Sequence, residues 1–458
     1  MASVTPPALL SGFRDFTPEQ CAQRDHIFAT ARRVFELYGY LQIQTPAMER
    51  LSVLSGKYGE EGEQLMFKVL NSGDFLAGAD LTDLTAKKLI PQICERAMRY
   101  DLTVPFARYV VMHQSEIALP FKRYQIQNVW RADRASKGRY REFYQCDVDV
   151  VGSSSLQHEA EFVAIYDQIL TTLGLPGFTI RLNHRQILTA LCEAARCPDH
   201  FTEVCTAIDK LDKIGEGGVS QELAQRGINA SAAAFILETI RFSGSPEQTL
   251  AYLEERLNQA PSAAKGIADL RSIFETYLPF LGIQKATVRI DLTLARGLNY
   301  YTGTIFEVTA DGVEIGSIGG GGRYDDLTGM FGLKNLTGVG ISLGADRVHD
   351  VMTQLGLFEN TRPSVCQALI VHFGGACLTP ALALAQTLRA NGIAAEVYAD
   401  SQHKLAKQFS YADRKRIPYT IIIGEEELAN QTYKLKRMDT GEQTQHTLAE
   451  LLVLLQNR

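Results

Sequence analysis

Residues 121–152 read FKRYQIQNVWRADRASKGRYREFYQCDVDVVG. Stretches 121–131 and 142–152 are β-rich, and the polar run 132–141 between them makes an antiparallel hairpin with a long tip. Side chains alternate faces along a strand. Arg141, Phe143, Gln145, Asp147 and Asp149 therefore share one face, and Glu142, Tyr144, Cys146, Val148 and Val150 form a mostly apolar back. On the first strand, Arg131 shares a face with Gln125, Gln127 and Val129. A front of guanidinium, aromatic, amide and carboxylate groups is costly to bury without a ligand. Its chemistry suits a nucleotide with a polar co-substrate: arginine for phosphate, phenylalanine for base stacking, amide and carboxylate for polar groups. Lys122, Arg123, Arg134, Lys137 and Arg139 add to the basic character against the single acid Asp133. A solvated loop tip also explains such a charge run.

Upstream of the hairpin, Thr17-Pro18-Glu19-Gln20 is a capping-box helix start. Ile27, Ala31, Val34, Phe35 and Tyr38 follow at helical spacing, Gly39 ends the helix, and 40–44 reads as a strand. Short strands are expected at 66–69 and 99–106, and a helix at 158–173. Residues 185–284 are rich in Ala, Leu, Glu and Gln at helical spacing, with breaks at Gly217-Gly218 and 243–246, and read as a small helical insertion. Strands return at 288–294, 301–309 and 312–317. A four-glycine run, 319–322, precedes a strand at 338–343 and a helix from about Ala345. Beyond a linker, the stretch from 368 to 423 alternates as βαβαβ, an independent and mostly parallel α/β domain. The expected organisation is therefore an α+β catalytic domain, with an antiparallel sheet flanked by helices, in two parts (1–184 and 285–357). The helical insertion (185–284) lies between them, and a linker (358–365) leads to a C-terminal α/β domain (366–458).

With 458 residues the chain has room for about three domains and a sizeable core. A net charge of -6 argues neither for nor against nucleic acid, so any basic surface has to be local. The 8 cysteines lack zinc spacing and read as reduced thiols suited to the cytoplasm, and no metal site is expected. Residues 1–16 do not read as a leader, and no apolar run is long enough to span a membrane. There is no GxxxxGK[ST] loop, no GxGxxG after a strand, no GxSxG elbow and no HExxH. P-loop, dinucleotide-binding, serine hydrolase and zincin chemistry are thereby disfavoured.

The hairpin resembles motif 2 of class II aminoacyl-tRNA synthetases in their histidyl form. GFRDFTP (12–18), RYDLTVPFARY (99–109), LARGLNYYTGTIFE (294–307), GGGGRYDDL (319–327) and GVGISLGADRV (338–348) resemble further blocks of that family, in family order. The resemblance spans most of the chain, including the insertion and a C-terminal anticodon-binding domain.

The resemblance implies roles for individual residues. Arg131 would bind the ATP α-phosphate and the histidine carboxylate. Arg296 would sit on that phosphate opposite Arg131, where other class II enzymes use a divalent ion; two arginines suit the charge spread of phosphoryl-type chemistry. Phe143 and Arg347 would sandwich the adenine, Asp133 would accept from its amino group, and Arg139 and Arg141 would hold phosphates. Asp101, Thr103 and Gln145 would take the substrate α-amino group, with Asp101 and Thr103 as same-face neighbours on a strand. Asp149 and Tyr301 would recognise the imidazole, and Tyr300 would close that pocket or serve as a core tyrosine. The glycines would let backbone approach a flat ligand or form a tight turn. Two departures from the family stand out: Asn299 where Asp is frequent, and Asp133 where Glu is common. The implied activity is ATP-dependent formation of histidyl-adenylate and its transfer to tRNA(His) by a cytoplasmic homodimer, with Mg2+ on the nucleotide. The alternative is a non-catalytic relative acting as a regulatory subunit of an ATP phosphoribosyltransferase.

Overall fold

The computed structural model describes residues 7–295, 300–325, 327–358, 365–400 and 404–456. Arg296, Gly297 and Asn299 lie outside them, as does most of the expected linker.

The hairpin forms as two ten-residue strands, β5 (Phe121–Trp130) and β6 (Glu142–Val151), at the heart of an eight-stranded sheet. The other members are β1 (Leu41–Gln42), β7 (Phe178–His184), β8 (Thr287–Ile290), β9 (Thr304–Ala310), β10 (Gly319–Tyr324) and β11 (Gly338–Gly344). Their order is β1-β5-β6-β11-β10-β9-β7-β8. The five pairings from β5 to β7 are antiparallel, and the edge strands β1 and β8 pair parallel. The apolar back of β6 (Cys146, Val148, Val150) joins the main core with Phe162, Ile165 and Ile169 of the helix Gln157–Thr172. That leaves the front of β5–β6 free to carry chemistry. Strands β2 (Met48–Arg50), β3 (Lys68–Val69) and β4 (Arg96–Met98) make a small separate sheet.

Thr17 opens the first helix, Pro18–Leu37, with the expected reciprocal bonds: Gln20 N to Thr17 Oγ1 at 3.3 Å and Thr17 N to Gln20 Oε1 at 2.9 Å. Stretch 99–106, expected as a strand, is not one. The strand β4 ends at Met98, and a helix runs from Thr103 to Met112. The Asp101 carboxylate accepts from the Val104 backbone N–H at 3.1 Å, and Pro105 sits in the first turn, so Asp-x-x-Val-Pro is a helix start. Asp101 and Thr103 are therefore not same-face strand neighbours. Stretch 312–317 is also not a strand: Gly312 turns with φ +74°, and pairing resumes only at Gly319 opposite Val308. In the insertion the helix Leu211–Gln225 runs through Gly217-Gly218 and kinks instead at Gly215, where φ is +66°.

By internal contacts the chain divides into one unit of Met1–Asp15 and Arg24–Glu359 and a second of Phe16–Gln23 and Asn360–Arg458. The second contains a five-stranded sheet: β12 (Ala368–His372), β13 (Ala395–Val397), β14 (Tyr419–Ile423), β15 (Tyr433–Arg437) and β16 (Gln443–His446), ordered β13-β12-β14-β15-β16. Strands β12, β13 and β14 are parallel, as the βαβαβ alternation predicts; β15 and β16 add an antiparallel extension.

Candidate active site

The front of β5–β6 opens into a cavity of about 380 Å³. Arg131, Asp133, Arg139, Phe143, Gln145, Tyr301 and Arg347 all line it, so the structure gathers seven of the expected residues at one place. The glycines 319–321 supply one wall.

Arg131, just past the end of β5, is held in position by the segment that follows β4. Its Nε donates to the Tyr100 carbonyl at 3.0 Å, and its guanidinium lies 4.3 Å from the Tyr100 ring centroid and 5.4 Å from that of Phe143. Arg347 starts the helix Ala345–Gln354 and is anchored to two carbonyls, Gly138 (2.7 Å) and Ser317. One of these belongs to the hairpin tip, so the tip and the helix are tied together across the cavity. Next to Arg347, the Asp346 carboxylate accepts from Arg14, Arg24 and the Tyr144 backbone N–H, which joins the N-terminal segment, the first helix and β6. Arg139 is half exposed and stands 3.8 Å from Asp133. Arg141 does not line the cavity: its Nε donates to the Asp133 carbonyl at 2.9 Å, and its stem packs on Gly12.

Behind the cavity lies a buried polar layer. Register pairs Arg123 with Asp149 and Gln125 with Asp147 across β5–β6, so all four point to one face. Arg123 and Asp149 form an ion pair at 2.8 Å with almost no exposure on either side chain. Asp149 also accepts from Tyr324 Oη at 2.7 Å. Asp101 accepts from Tyr58 Oη at 2.9 Å and Tyr300 Oη at 3.1 Å. Desolvation raises the proton affinity of Asp101, Asp147 and Asp149 alike, and it pushes Asp147 up to about 7 despite the nearby Arg123. Asp101, Thr103, Asp149 and Tyr300 thus sit behind the lining rather than on it.

The glycines act by leaving room. A Cβ on Gly322 would meet the Tyr301 ring at 2.7 Å, and one on Gly340 would meet the Asp149 carboxylate at 2.0 Å. Neither has a positive φ. They are strand glycines that make space for side chains of neighbouring segments, which is a different use from a tight turn.

Arg123, Tyr58, Tyr324 and Ser342 are parts of the site that motif reading passed over. Arg123 shares strand parity with Gln125 and Gln127, which was a usable signal. The tyrosines come from distant segments and carry none.

A cavity lined by three arginines, Phe143 and Gln145, with a buried carboxylate layer behind it, fits an amino acid and a nucleotide together. The profile of the histidyl-tRNA synthetase family matches residues 12–90 and 77–348, and that of the anticodon binding domain matches residues 367–458. The chain belongs to the histidyl-tRNA synthetase family. It is 49% identical over 449 residues to a protein of Bacteroides fragilis (strain YCH46) named histidine–tRNA ligase, covering 97% of this chain and 98% of that one. The crystal structure of histidyl-tRNA synthetase from Nostoc sp. PCC 7120 superimposes with a TM-score of 0.83 at 32% identity, covering 99% of this chain and all of that one. A Bacillus halodurans protein titled ATP phosphoribosyltransferase regulatory subunit/histidyl-tRNA synthetase shares the fold at a TM-score of 0.70 and 21% identity, over 89% of this chain and 96% of that one. Fold alone therefore does not separate a synthetase from a regulatory relative, but the relatives 48–49% identical over nearly the whole chain are named histidine–tRNA ligase.

Proposed function

We propose that the protein is a histidine–tRNA ligase that activates histidine with ATP and transfers it to tRNA(His). The single observation that carries this reading is the joint placement of Arg131, Phe143, Gln145, Tyr301 and Arg347 around one cavity. A regulatory histidine binder needs the amino-acid layer but has no use for an adenine clamp with a phosphate-binding arginine.

In this reading the histidine carboxylate attacks the ATP α-phosphorus in line, the bond to the pyrophosphate oxygen breaks, and pyrophosphate leaves. Arg131, fixed by Tyr100, steadies the carboxylate and α-phosphate, and the charge on the equatorial oxygens is met by guanidinium already in place. Arg296 is assigned the opposite side of that phosphate on its family motif alone. Phe143 and Arg347 flank the adenine, with Asp133 at its amino group and Arg139 on phosphate. Arg141 acts one step removed, by bracing the hairpin tip. Gln145 and Asp101 serve the α-amino group, with Thr103 at the head of the same helix; Asp149, Tyr300 and Tyr301 serve the imidazole. Magnesium enters with ATP as part of the substrate. Among the described residues no cluster of three His, Cys, Asp or Glu side chains is placed to hold a metal ion.

The C-terminal unit reads the tRNA, and the working form is a homodimer. Leu37, Leu41 and Met48, around the first helix and β1, are 65%, 63% and 46% exposed, an apolar face suited to a second copy. The cytoplasm is the proposed site of action: every described cysteine is a free thiol, and no described helix is long and apolar enough to cross a membrane.

The test is pyrophosphate exchange with each of the amino acids, followed by charging of tRNA(His). Exchange with histidine above all others, together with charging, is expected. Histidine binding without exchange would favour the regulatory reading. A chain ending at Pro363 should keep exchange and lose most charging.

A further inference from the structure

Gln145 lines the cavity, and its amide is asymmetrically engaged. Nε2 donates to Ser342 Oγ at 2.7 Å, while Oε1 is buried with no hydrogen-bond partner. Asp147 lies directly across from Ser342 in the β6–β11 register, and the Ser342 hydroxyl favours the ionised form of its carboxylate, which puts the two within reach of one another. Asp147 is 2% exposed, and its Oδ1 has no partner. It does not line the cavity, and the family motifs assign it no role.

The order of donors and acceptors along this chain is forced. An ionised carboxylate only accepts, so Ser342 has to donate to it. The serine oxygen then accepts, and the group offering a proton to it is the NH₂ of Gln145. This leaves the glutamine oxygen facing the site. We propose that Asp147 is a positioning residue: through Ser342 it fixes the Gln145 amide with its oxygen presented as an acceptor for the α-ammonium group of the bound amino acid. The proposal rests on the reading that Gln145 takes the α-amino group, and it adds what orients it.

The orientation holds only while Asp147 is ionised. A protonated Asp147 becomes a donor to Ser342, and the direction of the chain is no longer forced. The charged groups around Asp147 are Arg123 on β5, Asp149 on its own strand, and Asp101 and Arg99 from the segment between β4 and the following helix. Arg123 favours the ionised form; Asp149, Asp101 and burial oppose it. The balance, at about 7, centres the loss of orientation near neutrality, with more of it lost as pH falls.

The experiment uses the full chain and calorimetric titration with L-histidine and with imidazolepropionate, which lacks the amino group. Asp147→Asn keeps the shape but can donate to Ser342. It should bind histidine roughly tenfold to a hundredfold more weakly, the size of one charge-assisted hydrogen bond, and bind imidazolepropionate as the wild type does. Ser342→Ala should do the same and guards against a folding defect in the first variant. The wild-type advantage over Asp147→Asn should shrink as pH falls from 8 to 6; taking the ratio cancels the titration of histidine itself. Equal weakening for both ligands, or a ratio that does not change with pH, overturns the proposal. Gln145→Ala separates the two levels. If it binds histidine like the wild type, the α-amino reading of Gln145 fails. If it is weakened while Asp147→Asn and Ser342→Ala are not, that reading stands and the relay fails.

Discussion

Strands β6 and β14 are both buried in the centre of a sheet, yet they are filled in opposite ways. β14 is Tyr-Thr-Ile-Ile-Ile, every residue buried, with Ile421 and Ile423 in an apolar core. β6 buries apolar residues on one face only, and its other face places Gln145, Asp147 and Asp149 where water is excluded. Burying an isoleucine side chain stabilises by about 1.5–3 kcal/mol. Burying a carboxylate costs several kcal/mol unless it is paired, and here Arg123 offsets one of two. The difference teaches where each sheet's free energy goes. The C-terminal sheet is built for stability, whereas the catalytic sheet gives up stability to hold a polar layer in place before any ligand arrives.

That contrast can be broken by substitution. Removing Asp149 (Asp149→Ala) leaves Arg123 buried without its partner and should destabilise the catalytic unit by about 3–5 kcal/mol, measured by denaturant unfolding. A loss below about 1 kcal/mol would mean that the ion pair is replaceable. Arg131→Ala should leave unfolding almost unchanged and lower histidine-dependent pyrophosphate exchange by about 10²–10³-fold, which separates a group held for chemistry from one held for the fold. In β14, Ile421→Ala should cost about 2–4 kcal/mol, but in the C-terminal unit only, with exchange retained. If exchange falls in step with stability, the two units are not independent in the way the contrast requires. Gly340→Ala should cost about 1–3 kcal/mol through the approach of its Cβ to Asp149, and it should raise the Michaelis constant for histidine.

A further test of the contrast is in pH. Burial raises Asp147 from its ordinary 3.8 to about 7, so the folded chain holds that proton more tightly than the unfolded one. The associated stability is present in full below about pH 4 and is lost as pH rises to about 7. Asp147→Asn carries no such term. Its stability relative to the wild type should therefore grow between pH 4 and 7 and stay level above. A constant difference across that window would place Asp147 in a wetter setting than the one described.

Much of this was legible in the sequence, for physical reasons. Period-two alternation in 142–151 separated a core face from a chemical face, and the Thr17–Gln20 capping box marked the first helix start. The failures are equally specific. Asp101-Leu102-Thr103-Val104-Pro105 is also a helix start, but the apolar run behind it imitates a strand. Gly217-Gly218 suggested a break that Gly215 makes instead. Which face residues reach the cavity and which lie behind it depends on neighbours far away in the chain. Tyr58, Tyr300 and Tyr324 come from three separate segments, and no local pattern places their hydroxyls on Asp101 and Asp149.

The most direct test of the central claim, that the front of β5–β6 is a ligand layer while the C-terminal sheet is a stability layer, is hydrogen exchange read by mass spectrometry on the intact protein. It should be run with and without L-histidine plus a non-hydrolysable ATP analogue. Binding should slow exchange in Glu142–Val151, Gly338–Gly344 and the helix from Thr103, and leave Ala368–His372 and Tyr419–Ile423 unchanged. Protection concentrated in the C-terminal strands, or none in β6 and β11 at saturating ligand, would contradict it.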